Sequence, residues 1–90
     1  MTKFQEKVYE AVAKIPKGET RTYAQIALAI GYPRAYRAVG HALNKNPFLG
    51  KVPCYRVICS NGQPGGYVLG TRKKVELLKK EGTKLKRELN

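Results

Sequence analysis

Cys54 stands in the run Val52-Pro53-Cys54-Tyr55-Arg56-Val57, a thiol between a proline and a phenol with a guanidinium close by. A thiolate is a strong nucleophile, and a neighbouring cation favours it over the neutral thiol. Pro53 fixes its own φ and drives Val52 toward an extended conformation. Val57 and Ile58 favour a strand just beyond. The run reads as a short stiff segment that holds one sulfur at a set angle. The alternative is a buried, inert cysteine that only fills core space.

The elements that position this thiol must come from 90 residues, enough for one small domain with one modest core, spanning 1–90. Lys plus Arg number 18 against 6 Asp plus Glu, a balance of +12. That excess points to a polyanion or an anionic membrane surface as partner. No apolar run approaches the length of a membrane span, and no charged-then-apolar leader opens the chain. The expected setting is therefore cytoplasmic, or with DNA in a nucleoid or nucleus. Cys54 and Cys59 make no disulfide framework and should stay reduced. One histidine and two cysteines form no zinc site of familiar spacing, so neither metal nor cofactor is called for.

Thr2 and Gln5 have capping-box spacing, and Phe4, Val8, Ala11, Val12 and Ile15 fall on one helical face. Pro16-Lys17-Gly18 ends that helix. Thr22 and Gln25 repeat the cap before Ile26, Ala27 and Ile30, and Gly31 supplies a stop. A third helix is expected from about Arg34 to Lys45, with Pro33 at its start and Ala35, Ala38, Val39, Ala42 and Leu43 inward. Two short helices joined by Gly31-Tyr32-Pro33 on a basic chain read as a helix-turn-helix; a generic helical hairpin is the alternative.

The third helix presents Arg34, Arg37, His41 and Lys45 outward and is rich in small residues, including Ala38 and Gly40. Small side chains let a helix backbone approach a surface, which suits a narrow groove. Glycine inside a helix costs about 1 kcal/mol against alanine, so Gly40 suggests a close contact. Helix packing against the core accounts equally for the alanines. Asn46-Pro47 breaks the helix, residues 60–66 form a turn region, and a last helix runs from about Arg72 to Glu81. Residues 83–90 read as a basic, weakly ordered tail. The fold expected is α+β: mostly helical and winged-helix-like, with a helix-turn-helix and a small sheet or hairpin near Cys54 and Tyr67.

From Phe4 to Glu81 these residues resemble the DNA-binding, cysteine-bearing domain of O6-alkylguanine–DNA alkyltransferases. The resemblance rests on Ile15-Pro16-Lys17-Gly18-Glu19-Thr20, Thr22-Tyr23-Ala24-Gln25-Ile26-Ala27, Arg37-Ala38-Val39-Gly40, Asn46-Pro47, Val52 to Ile58 and Gly66-Tyr67, in that order. It implies a protein that takes the minor groove of duplex DNA, flips an O6-alkylguanine and moves the alkyl group irreversibly to its own cysteine. Flipping is required because the target atom is inaccessible inside paired bases. The resemblance makes Cys54 the nucleophile, Arg37 the side chain that fills the vacated space, and Tyr23 the residue that crowds the lesion phosphate. It makes Tyr67 a proton donor to the departing oxygen and Glu81 the carboxylate behind the family's histidine. Asn46 becomes the hinge, and Pro53, Ser60, Tyr67 and Val68 line the pocket. Arg34, Ala38, Gly40, His41 and Lys45 fall on the DNA side, and Arg56 is structural. Arg37 as a phosphate contact, Tyr23 as a partly buried phenol and Tyr67 as simple packing remain the alternatives.

Four departures from the family pattern stand out. Tyr55 replaces the histidine, and a phenol with a pKa of about 10 is a poor base near neutrality. It retains the option of donating a hydrogen bond to the thiolate. His41 replaces a usual glycine, Val68 and Leu69 replace small loop residues, and no N-terminal domain is expected. The favoured reading is a monomeric single-turnover DNA alkyltransferase. A noncatalytic lesion-binding relative is the second reading, and a plain helix-turn-helix regulator the third. Relatives of the second kind have lost the cysteine that this chain keeps.

Overall fold

The computed structural model describes residues 1–48 and 50–83. Two capping boxes start the first two helices. Thr2 Oγ1 accepts from Gln5 N–H at 3.1 Å while Gln5 Oε1 accepts from Thr2 N–H at 2.9 Å. Thr22 and Gln25 repeat the exchange at 3.0 and 2.8 Å. Each box satisfies two of the amide donors that a helix start leaves orphaned. They open α1 (Lys3–Ala13) and α2 (Tyr23–Ala29). After them come α3 (Tyr36–Asn44), a 3-10 turn over Cys54–Arg56, and α4 (Thr71–Lys80). Two short strands, β1 (Arg21–Thr22) and β2 (Val57–Ile58), pair in parallel, Arg21 opposite Val57.

The core joins Val8, Tyr9 and Val12 of α1 to Ile26 and Ala27 of α2 and to Val39, Ala42 and Leu43 of α3. Ile15, Val52, Cys54 and Val57 complete it. Tyr9 hydroxyl donates to Ala42 carbonyl at 2.6 Å, which fixes α1 on α3 without leaving the phenol unpaired. A smaller cluster of Val75 and Leu78 holds α4 against Tyr55 and Ile58.

The mostly helical α+β fold and the α2–turn–α3 arrangement are as expected, but three local expectations fail. First, α3 begins at Tyr36, so Arg34 lies in the turn before it. Pro33 sits inside a reverse turn closed by Ala35 N–H to Tyr32 carbonyl at 2.9 Å rather than in a first helical turn. Second, Ala38 is exposed. The buried stripe is Val39, Ala42 and Leu43, and Ala38 precedes it on the outer side. Third, the small sheet expected near Cys54 is present as β2 on β1, but it does not carry the cysteine, and Tyr67 lies in a loop. Of the basic tail, only Thr83 falls within the described residues, and its N–H donates to Leu78 carbonyl at 3.0 Å.

Pro53 has φ −78° and ψ 68°, and Cys54 N–H donates to Val52 carbonyl at 2.8 Å. That is an inverse γ-turn, and it runs directly into the 3-10 turn. Cys54 thus sits at the junction of two tight turns instead of in a strand.

An ion pair fastens this junction. Arg56 Nε donates to Glu81 Oε1 at 2.9 Å and Arg56 Nη2 to Glu81 Oε2 at 2.5 Å. Arg56 Nη1 donates to Ile15 carbonyl at 2.8 Å. One guanidinium therefore ties the end of α1, the cysteine turn and the end of α4. The side chains are only 14% and 9% exposed, so each partner left alone would be a poorly solvated charge. Arg56→Ala is expected to cost about 2–4 kcal/mol, read as a lowered midpoint in urea unfolding. Arg56 holds the Glu81 carboxyl below its usual range. The stability this contributes is present above the unfolded carboxylate pKa and lost as pH falls through the depressed folded value. Acidification should therefore lower the melting temperature of the wild type more than that of Glu81→Gln. An equal loss in both would place the acid sensitivity elsewhere.

Candidate active site and nucleic-acid interface

Cys54 is 4% exposed and belongs to the core cluster. Burial pushes its thiol pKa up, and this outweighs the Asn46 side chain, the Lys74 charge and a backbone amide, which pull it down. The expectation that the adjacent guanidinium would favour thiolate fails, because Arg56 is committed to Glu81, Ile15 and the Tyr55 hydroxyl. The expectation that Tyr55 could serve the sulfur also fails. Its hydroxyl donates to Glu81 Oε2 at 2.5 Å. Burial, then Glu81, raises the Tyr55 pKa, so it stays a protonated phenol near neutrality.

The cation that bears on the sulfur is Lys74, which the sequence reading missed. Lys74 is 0% exposed in the middle of α4. Its Nζ donates to Gly66 carbonyl at 3.1 Å and to Tyr23 hydroxyl at 3.3 Å, and lies 5.5 Å from the Tyr23 ring centre. Burial lowers its pKa to about 8, while Cys54 and Cys59 pull it back up. A signal existed: Lys74, Val75 and Leu78 share the buried face of α4. The run Arg72-Lys73-Lys74 disguised it as a solvated charge patch.

Tyr23 begins α2 and joins the cluster from the other side. Its hydroxyl reaches Gly66 carbonyl at 3.4 Å, and burial drives its pKa up to about 12. The backbone comes very close here. A Cβ on Gly65 would lie 3.1 Å from both Cys59 Sγ and Tyr23 Oη, and Gly65 has φ +76°. Only glycine fits that conformation and that space. Tyr67 is half-buried against the core and meets the Tyr55 ring edge-on at 6.3 Å. Burial raises its pKa as well.

Asn46 is buried between α3 and the cysteine turn. Its Nδ2 donates to Val52 carbonyl at 3.0 Å and its Oδ1 accepts from Phe48 N–H at 2.8 Å. One side chain thus holds the chain that leaves α3 at the entrance of the Pro53 γ-turn.

The outer face of α3 presents Arg37, Ala38, His41 and Lys45, all exposed, with Arg34 exposed in the preceding turn. Gly40 faces the Tyr23 ring, 3.8 Å from where a Cβ would stand. A cavity of about 370 Å³ opens between Tyr36, Arg37, Gly40, His41 and Asn44 on one side and Tyr23, Cys59, Gly65 and Gly66 on the other. A neighbouring space of about 370 Å³ is bounded by Tyr23, Ala24, Tyr36, Cys59 and Ser60. Cys59, not Cys54, lines both; Cys54 lies in the core, its thiol coupled to Tyr23 and Lys74. Val68 is exposed in the loop and lines neither.

Apart from Ser60, which lines one cavity, and the exposed Val68, the sequence-derived site residues fall into three groups. Tyr55, Arg56 and Glu81 form the clamp. Cys54, Asn46 and Tyr67 are buried in or packed against the core, with Pro53 half-buried at the entrance of the cysteine turn and Tyr23 and Lys74 beside the thiol. Arg37, Ala38, Gly40, His41 and Lys45 form the helix face, with Arg34 in the turn before it. Both cysteines are free. Among the described residues no three of His, Cys, Asp and Glu gather as metal ligands, and no helix is long and apolar enough to cross a membrane.

Residues 3–83 match the profile of the family described as 6-O-methylguanine DNA methyltransferase, DNA binding domain. A methylated-DNA–protein-cysteine methyltransferase of Methanosarcina barkeri is 53% identical over 85 residues, covering 94% of this chain and 54% of the relative. The crystal structure of Mycobacterium tuberculosis OGT in complex with DNA superposes with a TM-score of 0.88 at 48% identity, covering 91% of this chain and 50% of that one. Schizosaccharomyces pombe Atl1, in complex with damaged DNA containing O6-carboxymethylguanine, gives a TM-score of 0.83 at 35% identity, covering 93% and 80%. The chain spans about half the length of the methyltransferase relatives it matches. With the profile running across nearly all of its length, the chain belongs to the 6-O-methylguanine DNA methyltransferase family, in the part that forms the DNA-binding domain.

Proposed function

We propose that this chain is the DNA-binding and catalytic part of a single-turnover DNA repair alkyltransferase that acts on double-stranded DNA containing O6-alkylguanine. The observation that carries the reading is the layering of the site. A cationic, small-residue helix face borders a cavity whose far wall, through Tyr23, abuts the cluster that holds the Cys54 thiol. The net charge of +12 suits the phosphate backbone, and binding should weaken steeply with salt as counterions are released. Arg37 enters the duplex from α3, and Tyr23 meets the lesion phosphate. The protein acts where DNA is held under reducing conditions.

In the transfer step the Cys54 thiolate attacks the alkyl carbon, a carbon–sulfur bond forms and the carbon–oxygen bond to guanine breaks. The guanine anion takes a proton from Tyr67, the phenolate regains one from water, which had taken the proton of the Cys54 thiol, and the thioether stays on the protein. Tyr55 does not draw the proton from the thiol, because its hydroxyl is itself a donor to an ionised carboxylate. Lys74 supports the thiolate by charge from within the core.

A noncatalytic lesion binder is the second reading. It is favoured by the raised thiol pKa, the commitment of Tyr55 to Glu81 and the likeness to Atl1. Incubation with a duplex bearing O6-methylguanine, followed by peptide mass spectrometry, separates the two. A gain of one methyl on the Cys54 peptide, absent in Cys54→Ser, is the expected result. Tight lesion binding with no gain in mass favours the second reading.

Tyr55→His is expected to speed transfer at neutral pH by about tenfold or more, because a general base of suitable pKa replaces a phenol. An unchanged rate in quenched single-turnover assays would show that this position does not limit the reaction. Lys74→Met keeps the buried volume but removes the cation, so the Cys54 pKa should rise further. Iodoacetamide labelling of the Cys54 peptide should slow at pH 7, and its pH profile should move upward. Faster labelling would mean that Lys74 does not stabilise the thiolate.

A further inference from the structure

Tyr36 is 47% exposed at the first position of α3. The buried face of α3 is Val39, Ala42 and Leu43, so folding does not require an aromatic at this point. The preceding cap, Ala35, makes no side-chain hydrogen bond, and no bond holds the Tyr36 phenol among the described residues. What the ring does contact is Arg37: the guanidinium carbon stands 5.9 Å from the ring centre. Tyr36 also lines both spaces beside Tyr23, and Tyr36, Gly40 and Asn44 make one row along the cavity wall. One exposed edge of the proposed DNA face is thus an aromatic ring with a cation beside it.

We propose that Tyr36 and Arg37 act as one stacking unit on the duplex, Tyr36 being a positioning residue for the guanidinium. This rests on the alkyltransferase reading of the site. A free arginine samples many rotamers, and its ordering opposes insertion into a base stack. A ring beneath the guanidinium narrows that freedom before DNA arrives, by an attraction that survives at exposed sites. The guanidinium it orders then stacks on a base next to the gap, and such stacking is indifferent to sequence. That matches a protein that must recognise a lesion in any context. Gly40, one turn on, faces the Tyr23 ring across the same cavity.

The test is a double-mutant cycle on a duplex carrying O6-methylguanine, read as the dissociation constant and the single-turnover rate, with melting temperatures as controls. Tyr36→Ala should weaken lesion-duplex binding by about five-fold, and Tyr36→Phe should stay within about twofold of wild type. Tyr36→Leu keeps bulk without a π face and should behave as Tyr36→Ala. In an Arg37→Ala background the Tyr36→Ala change should cost less than about twofold, because the partner it positions is gone. Full additivity, or a Leu variant equal to Phe, overturns the proposal while leaving the alkyltransferase reading intact. A wild type that neither binds the lesion duplex nor gains a methyl group overturns both.

Discussion

The bidentate pair between Arg56 and Glu81 is the constraint on which the rest of the site depends. It joins three pieces of chain that are distant in sequence: the exit of α1, the cysteine turn and the cap that follows α4. Core burial of Val52, Cys54 and Val57, the Asn46 bond to Val52 carbonyl and the short β1–β2 ladder also hold the turn, but among the described residues only this pair ties it to both α1 and α4 through charge. The pair also decides the chemistry of its neighbours. By occupying the carboxylate it turns Tyr55 into a hydrogen-bond donor, and by occupying the guanidinium it removes Arg56 from the electrostatics of Cys54. The residue beside the nucleophile thus becomes part of the scaffold.

The thiol is left with weaker supporters. Asn46 and a backbone amide favour its ionised form, and Lys74 adds a charge from the core, yet burial dominates. Lys74 is itself poorly solvated and shares its proton donors with Tyr23 and Gly66. The site is therefore a set of groups each held away from its charged form by desolvation: the thiol, the phenols and the lysine. On the proposed reading such an arrangement suits a reaction that happens once, with ionisation of the thiol among the steps that set its rate.

Much of this was legible in the sequence. Thr2–Gln5 and Thr22–Gln25 announced two helix starts, because a capping box depends only on residues three apart. Asn46-Pro47 marked the end of α3, and the two hydrogen bonds of Asn46 tie that end to the cysteine turn. What could not be read depended on tertiary placement. Ala38 looks as apolar as Ala42, and only the packing of α1 against α3 decides which one is buried. Pro33 can start a helix or close a turn with the same φ. Lys74 shares the helical face of Val75 and Leu78, but the basic run around it masked that spacing, and the phenol and carbonyl it meets inside come from distant parts of the chain. Arg56 lies two residues from Cys54 in sequence, yet its guanidinium belongs to Glu81 and Ile15.

The pH dependence of methyl transfer from O6-methylguanine in duplex DNA, followed on the Cys54 peptide in single turnover, is the most direct measurement of this account. A buried thiol without a neighbouring base predicts a rate that keeps rising through neutrality and levels only above the ordinary thiol range. A rate already at its plateau at neutral pH would contradict it.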